Sequence, residues 1–144
     1  MVGEGDLADL LPLVEAYCVF YGRNPGHDAL EALARELMAE PDREGRHLIA
    51  RDGEGRAVGF ATLLWSWSTP RAARLGIMND LFVAPEARGS GAAEALIQAC
   101  VDHARAHGAC ALEWATARDN HRAQAVYDRF GGVREDWLTY GYEL

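Results

Sequence analysis

The order of its segments predicts that this chain folds as an α/β or α+β domain around a mixed, mostly antiparallel sheet. Two helical segments come first, three strand segments follow, and helices then alternate with strands. A hairpin turn joins antiparallel strands, whereas a helix between two strands favours parallel pairing. The chain has 144 residues, which is enough for a single domain, 1–144, with a core of its own.

Two N-terminal helices are predicted from apolar residues that recur at helical spacing. The first covers Leu7–Phe20 and follows Asp6, a residue type that often caps a helix. A turn at 22–26 separates it from a second helix, which Asp28 can cap and which ends by Pro41.

Three strands are predicted in the middle of the chain. His47–Arg51 and Ala57–Trp65 lie on either side of a glycine-rich turn at 52–55, as the strands of a hairpin do. Residues 66–73 are expected to form a loop, and Leu75–Val83 the third strand.

Helices and strands alternate in the last third of the chain. A helix is expected over Ala92–His107 and a strand over Cys110–Thr116. Asp119 or Asn120 can cap a further helix that ends before two consecutive glycines. Side chains of different character then alternate along Trp137–Leu144, which predicts a final strand.

The net charge of -8 argues against nucleic acid and anionic membranes as main partners. Nearly all of this excess negative charge lies in residues 1–45, which contain ten acidic residues and three arginines. Two interpretations are open: these acids form solvated helix faces, or they form a surface that attracts a cationic ligand.

Composition also limits the compartment and the metal chemistry that we expect. No apolar stretch approaches the ~20 residues of a membrane span, and no signal peptide is evident, so we expect a cytoplasmic protein. Three cysteines without CxxC spacing indicate reduced thiols rather than disulfides or a zinc site. His103 and His107 lie four residues apart but lack a third ligand, so no metal is expected.

An anion-binding site is predicted where the third strand meets the next helix. Residues 88–93 read Arg-Gly-Ser-Gly-Ala-Ala. A helix N-terminus offers unpaired N–H groups, glycines let a ligand approach them, and an arginine adds a two-pronged donor. The segment matches neither GxxxxGK[ST] nor GxGxxG, because Glu94 occupies the third glycine position. A glycine-rich turn that opens an ordinary helix is the alternative interpretation.

The wider segment "NDLFVAPEARGSGAAEALI" resembles the core motif of the GNAT superfamily, the acetyl-CoA-dependent N-acetyltransferases, and in particular its spermidine/spermine acetyltransferase-like branch. Arg88, Gly91 and Ala93 match its pattern [RQ]xxGx[GA]. A second motif, NxxAxxxY, matches at Asn120 and Tyr127 in "DNHRAQAVYDRFGG". The element order matches as well, so the resemblance covers nearly the whole chain.

The resemblance implies a V-shaped cleft for acetyl-CoA between two parallel strands that splay apart. Backbone groups of the third strand would pair with the pantetheine arm. The residues that it assigns to CoA are Leu81, Phe82, Val83, Arg88, Gly89, Ser90, Gly91, Ala92, Ala93, Glu94, Asn120 and Tyr127. An amine would attack the thioester directly, in a ternary complex and without a metal.

The resemblance makes Tyr127 the general acid that protonates the leaving thiolate, although an aromatic residue packed on the core is the plainer interpretation. The general base is open. Related enzymes often have glutamate where this chain has Asn79, and strand alternation should turn Asp80 to the opposite face. A water chain, Glu113 or an amine that arrives neutral are the alternatives.

The acceptor is expected to be a small cationic amine. Trp65 at the end of the second strand and Trp67 in the loop after it, with Tyr17 and Tyr21 on the first helix, could bind a cation through their rings. The same aromatic residues also suit a core or a dimer surface. A protein N-terminus or lysine is a second acceptor class, a non-catalytic acyl-CoA-sensing module is a competing function, and a homodimer is a further expectation.

Overall fold

The computed structural model describes residues 2–144 and contains four helices, four strands and two short 3-10 turns. In chain order these elements are a 3-10 turn Glu4–Asp6, α1 Leu7–Phe20, α2 His27–Ala39, β1 Gly45–Arg51, β2 Ala57–Ser68, β3 Ala73–Val83, a 3-10 turn Pro85–Ala87, α3 Ala92–Ala106, β4 Leu112–Glu113 and α4 His121–Phe130. The bounds of α1 agree with the prediction, and those of α3 and α4 agree within about one residue.

The four strands form one mixed sheet in the order β1-β2-β3-β4. β1 pairs with β2 and β2 with β3 in antiparallel orientation, whereas β3 and β4 are parallel, which confirms the predicted mixed sheet. The pairing of β3 with β4 stops at Ile77 opposite Glu113, although β3 continues to Val83. The last part of β3 therefore has no β4 neighbour on that side.

Helices cover both faces of the sheet. Leu10 of α1 and Ala34 of α2 pack with Phe60 of β2 on one face. Ile97 of α3 packs with Leu63 of β2 on the other face, in a second apolar cluster. Each such buried leucine or phenylalanine stabilises the fold by roughly 1.5–3 kcal/mol relative to an exposed one.

A β-bulge interrupts the pairing of β2 with β3. Thr62 lies opposite Asp80 and Leu63 lies opposite Met78, so Asn79 is an extra residue without a partner in β2. An extra residue shifts the inside-outside alternation of a strand by one position. Met78 therefore packs on the α3 face, whereas Phe82 packs on the α1 face.

Two predicted boundaries in the middle of the chain are wrong. β2 extends to Ser68 and β3 begins at Ala73, so Trp67 lies in a strand and not in a loop. Cross-strand pairing of Trp67 with Arg74 extends the hairpin beyond its predicted end. Helix α2 begins at His27 after Gly26, and Asp28 lies in its first turn rather than at the cap.

The C-terminal part of the sheet also differs from the prediction. β4 covers only Leu112–Glu113, and Trp137–Leu144 forms no strand. Alternation indicates which side chains a strand would bury, but a strand also needs a partner for its backbone groups. Tyr140 and Tyr142 are 89% and 90% exposed, so this segment, residues 133–144, has no such partner within the described part of the chain.

Among residues 2–144, no helix combines the length and apolar character that a membrane crossing requires. Cys18, Cys100 and Cys110 are free thiols, as the sequence predicts.

Candidate active site

A cavity of about 820 Å³ opens at the end of β3, where that strand no longer pairs with β4. Three helices contribute to its wall: the C-terminal end of α1, the N-terminal turn of α3 and the body of α4. Its lining includes the predicted site residues Tyr17, Tyr21, Asn79, Leu81, Phe82, Val83, Arg88, Gly89, Gly91, Ala92, Ala93, Glu94, Asn120 and Tyr127. Residues 110 positions apart in the chain thus meet in one space.

The turn before α3, residues 88–91, which we call the glycine turn, has the backbone geometry that an anion site needs. Gly89 and Gly91 have φ values of +80° and +87°, which side-chain-bearing residues rarely adopt. No atom lies within 4 Å of a Cβ built on either glycine, so a ligand can approach both. The Arg88 side chain donates a hydrogen bond from Nε to the Val83 carbonyl oxygen at 3.3 Å, which ties the turn to the end of β3.

An ion pair links the first turn of α3 to the last turn of α4 at this cavity. Nη2 of Arg129 lies 2.8 Å from Oε1 of Glu94. The hydrogen bond from Arg129 is the main reason that the pKa of Glu94 is lowered, and a backbone hydrogen bond adds to it. A carboxylate beside an anion site would repel the anion, and Arg129 offsets this charge.

The two residues of the second motif have different tasks in α4. Asn120 caps the helix, because its Oδ1 accepts a hydrogen bond from the Ala123 N–H at 3.2 Å. Its amide nitrogen is available as a donor at the cavity wall. Tyr127 packs edge-to-face against Trp114, with ring centroids 5.5 Å apart. Burial raises the pKa of Tyr127, so its phenol is a proton donor at neutral pH.

Aromatic side chains of α1 form the wall opposite α4. Tyr17, Phe20 and Tyr21 all line the cavity. The Tyr17 ring contacts Tyr21 at a centroid distance of 4.9 Å, and Phe82 of β3 at 6.3 Å. This wall offers π faces and hydroxyl groups, which suit an amine or ammonium group.

The bulge at Asn79 shifts the register of β3 and so sets the face of the sheet on which Asp80 lies. Asn79 lines the cavity, whereas Asp80 lies behind the wall, on the face of the sheet that carries α1. Nδ2 of Asn79 donates a hydrogen bond to Oδ1 of Asp80 at 3.2 Å. Asp80 therefore contacts the lining residue Asn79 without lining the cavity itself.

Three further predicted residues lie outside the cavity lining. The Trp65 ring stacks on His107 at 3.9 Å and donates a hydrogen bond to the Pro41 carbonyl at 2.8 Å. Trp67 is 66% exposed and lies under Arg74. Ser90 belongs to the glycine turn but does not line the cavity. The two tryptophans therefore do not join Tyr17 at the cavity.

The alternative base Glu113 is also outside the cavity lining, and it is paired with Arg71 at 3.0 Å. The acids of the N-terminal third are largely paired as well. Asp6 and Asp9 both bind Arg51, and Glu31 binds Arg35. None of the acids in residues 2–45 lines the cavity, which favours the interpretation of this charge as solvated, ion-paired surface.

Sequence reasoning missed several lining residues, among them Phe20, Met78, Thr116, Asp119, His121, Arg122 and Arg129. Phe20 follows Tyr17 by three residues, and this helical spacing could have placed both on one face. Arg122 and Arg129 carried no such local signal, because their position depends on how α4 packs beside α3.

No group of three or more His, Cys, Asp or Glu side chains in residues 2–144 is arranged to hold a metal ion. His103 and His107 pack against other groups: Nδ1 of His103 lies 3.4 Å from an Arg46 nitrogen, and His107 stacks on Trp65.

Comparison with known proteins identifies relatives over most of the chain. Residues 11–132 match the family model described as Acetyltransferase (GNAT) family. The uncharacterized N-acetyltransferase YhfO of Bacillus subtilis is 34% identical over 131 residues, which cover 91% of this chain and 85% of that protein. The D-amino-acid N-acetyltransferase HPA3 of Saccharomyces cerevisiae is 37% identical over 82 residues, which cover 56% of this chain and 51% of that protein.

A solved structure shows the same fold. The aminoglycoside N-acetyltransferase AAC(6')-Iy in complex with CoA aligns with a TM-score of 0.85, over 99% of this chain and 91% of that chain. The sequence identity of 20% is low, so this likeness establishes the fold alone.

Proposed function

Because this chain belongs to the acetyltransferase (GNAT) family and is an acetyl-CoA-dependent N-acetyltransferase, we propose that its cavity at the end of β3 binds acetyl-CoA and an acceptor amine together. The acceptor is a small cationic primary amine, which attacks the thioester directly. The whole described chain acts as one domain for this reaction, with α4 and the glycine turn on one side of the reacting atoms and α1 on the other.

One observation carries this proposal: the glycine turn, Asn120 and Tyr127 line the same cavity as the α1 aromatic residues. The N–H groups at the start of α3 and the Arg88 guanidinium would hold the pyrophosphate of CoA, because a helix N-terminus favours an anion. The open space above Gly89 and Gly91 leaves room for it. The residues present therefore fit this group.

The free edge of β3 supports a place for the pantetheine arm. β3 lacks a β4 partner from Met78 onward, so backbone groups of Leu81 and Val83 are candidates to pair with an extended ligand. A V-shaped cleft follows if β4 and β3 diverge beyond their last pair, Ile77 and Glu113. Asn120 would contact the arm near its acetyl end.

Tyr127 is the general acid in this proposal. Its phenol is half-buried at the cavity and its raised pKa keeps the proton on oxygen until a thiolate forms nearby. As the amine nitrogen bonds to the acetyl carbon, the carbon–sulfur bond breaks and Tyr127 donates its proton to sulfur. Bulk solvent then restores the phenol proton.

The α1 wall supports a cationic acceptor. Tyr17, Phe20 and Tyr21 present aromatic faces, and Asp80 stands behind Tyr17. HPA3 is named for D-amino acids and AAC(6')-Iy for aminoglycosides. Both names describe amines, and the resemblance of the segment around Asn79 to the spermidine/spermine acetyltransferase-like branch suggests a polyamine. Trp65 and Trp67 are not needed for this acceptor site.

A titration with an amine panel tests the proposal. Acetyl-CoA binding is measured by calorimetry, and spermidine, D-phenylalanine, neamine and a peptide with N-terminal alanine are then added separately. We expect one amine to give an acetylated product detectable by mass spectrometry. Binding of acetyl-CoA without any acetylated amine would contradict these acceptor classes, and absence of binding would contradict the assignment of the cavity.

The C-terminal segment, residues 133–144, supports a homodimer. Leu138, Tyr140 and Tyr142 lie on one side of an alternating sequence and are 71%, 89% and 90% exposed. Contiguous exposed apolar surface typically marks an interaction site. Light scattering should give a mass that falls to the monomer value in the double variant Leu138→Asp, Tyr140→Asp. A monomeric mass for the unmodified protein at all concentrations would contradict the dimer.

A further inference from the structure

The proposed reaction lacks a proton acceptor for the incoming amine. An amine that is protonated in water must lose a proton before or during its attack. Asn79 lines the cavity, but its amide cannot take up a proton. The structure places a carboxylate one residue later, and it does so through the bulge.

The bulge turns Asp80 toward α1. Because Asn79 is the extra residue, Asp80 pairs with Thr62 and shares the sheet face of its β2 and β1 neighbours, Thr62 and His47. Without the bulge, Asp80 would share the face of Met78, which packs under α3. One inserted residue therefore decides whether the Asp80 carboxylate lies near the cavity wall that α1 forms.

Two residues of the cavity wall lie beside the Asp80 side chain. Nδ2 of Asn79 donates a hydrogen bond to Oδ1 at 3.2 Å, and Tyr17 of α1 lies close enough to the same carboxyl group for the carboxylate to raise the pKa of its phenol. Tyr17 and Asn79 both line the cavity, whereas Asp80 does not. A proton from the cavity can therefore reach Asp80 through Tyr17.

Cys18 and His47 also interact with Asp80. Cys18 faces it from α1, where burial and Asp80 raise the pKa of the thiol. His47 faces it from β1, and burial lowers the pKa of that imidazole although Asp80 acts against this shift. His47 Nδ1 and Thr62 Oγ1 share a hydrogen bond at 3.1 Å. A buried neutral histidine places no positive charge beside Asp80.

Tyr17 by itself is a poor base. Burial and the neighbouring Asp80 raise the pKa of its phenol far above neutrality, so the hydroxyl stays protonated. A protonated hydroxyl can still accept one proton on oxygen while it passes its own proton to an acceptor. Tyr17 lines the cavity and interacts with Asp80, so it is placed to pass a proton in this way.

We propose that Tyr17 and Asp80 form the proton relay for the acceptor amine, with Asn79 positioning the carboxylate. An N–H bond of the bound ammonium breaks as its proton passes to the Tyr17 oxygen. The Tyr17 O–H proton moves to Asp80, and the freed nitrogen lone pair attacks the acetyl carbon. Tyr17 ends as a neutral phenol and Asp80 as a carboxylic acid, which returns its proton to solvent. This relay rests on the proposed function.

The test compares Asp80→Asn and Tyr17→Phe, singly and together, with the wild-type protein. Turnover is measured at saturating acetyl-CoA with the amine of the panel that reacts fastest, from about pH 7 to about pH 10. At neutral pH we expect each single variant to lose about 100-fold in kcat. The loss should shrink to about threefold at the alkaline end, because a neutral amine needs no base. The double variant should lose no more than the worse single variant, since the two residues act as a unit.

Other readouts separate a relay from a structural role. The KM for acetyl-CoA and the melting temperature should stay near their wild-type values in Tyr17→Phe, which removes only a hydroxyl group. Asp102→Asn, on the exposed surface of α3, is the matched carboxylate control. A loss of kcat that is equal at all pH values, or losses that multiply in the double variant, would overturn the relay.

His121 and Asp119 are the rival bases, because both line the cavity. If His121→Gln or Asp119→Asn removes the pH dependence that Asp80→Asn leaves intact, the relay is assigned to the wrong residues. If the wild-type protein acetylates no amine of the panel, the proposed acceptor fails first. If it does acetylate one and Asp80→Asn costs less than about threefold at neutral pH, only the relay fails.

Discussion

Arg129 and Glu94 form an ion pair, with Nη2 and Oε1 2.8 Å apart, that joins the last turn of α4 to the first turn of α3. Both residues line the cavity at the end where the glycine turn lies. The pair therefore does two things: it fixes α4 beside α3, and it offsets a carboxylate that would otherwise repel a phosphate.

Arg129→Ala should weaken acetyl-CoA binding about three- to tenfold at low salt, because it leaves the Glu94 charge unpaired beside the pyrophosphate site. Calorimetry measures the affinity. Adding Glu94→Gln should restore most of it. If the double variant binds as weakly as Arg129→Ala, then Arg129 contacts the ligand itself and the compensation is refuted.

Arg88→Glu should weaken acetyl-CoA binding by at least about tenfold, because it reverses a charge beside the proposed pyrophosphate site. Arg105→Glu makes the same change at the exposed C-terminal end of α3 and serves as the control. Equal affinities for the two variants, measured by calorimetry, would show that the glycine turn does not hold the pyrophosphate.

Tyr127→Phe should lower kcat about 100-fold and leave the acetyl-CoA dissociation constant within about twofold. The reason is that the hydroxyl donates its proton only as the thiolate leaves, while the ring keeps its contact with Trp114. Tyr142→Phe, in the exposed C-terminal segment, is the matched control. Unchanged turnover in Tyr127→Phe would remove this residue from the mechanism.

Stability should fall on the acid side because His47 is buried. Its side chain is 4% exposed, and burial lowers its pKa below the usual 6.5. Below the pKa of the unfolded state, the unfolded chain binds a proton on His47 that the folded protein does not bind. The free energy of unfolding therefore has its full value only above that pKa. It declines as pH falls from the unfolded pKa toward the folded one. Melting temperatures between about pH 8 and about pH 5 should drop more steeply for the wild type than for His47→Gln. Parallel curves would contradict the assignment.

Local chemistry made the glycine turn and the second motif predictable. Gly91 is the N-cap of α3 and Ala93 lies in its first turn, and Asn120 caps the helix that carries Tyr127. In each case the residues lie within about two turns of one another, so their spacing in the chain limits their spacing in space. In the structure, every residue of the glycine turn except Ser90 lines the cavity, and so do Ala93, Asn120 and Tyr127.

Predictions that depended on distant partners were less successful. Trp65 and Trp67 carry the side chains that a cation site uses, yet β2 places them away from Tyr17. Trp137–Leu144 has the alternation of a strand but finds no partner. Side-chain type indicates what a residue can bind, whereas the pairing of strands decides what lies beside it.

The sequence by itself determined the order of helices and strands as far as α4, the glycine turn and the family, because each rests on residues that are close in the chain. The tertiary structure decided that the Asp80 carboxylate lies on the side of the sheet that carries the aromatic side chains of α1. That outcome depends on how many residues β3 inserts between its pairings with β2, and on where α1 then packs. A single unpaired residue, Asn79, moves Asp80 from the face of α3 to Tyr17, and no local pattern in the chain marks it.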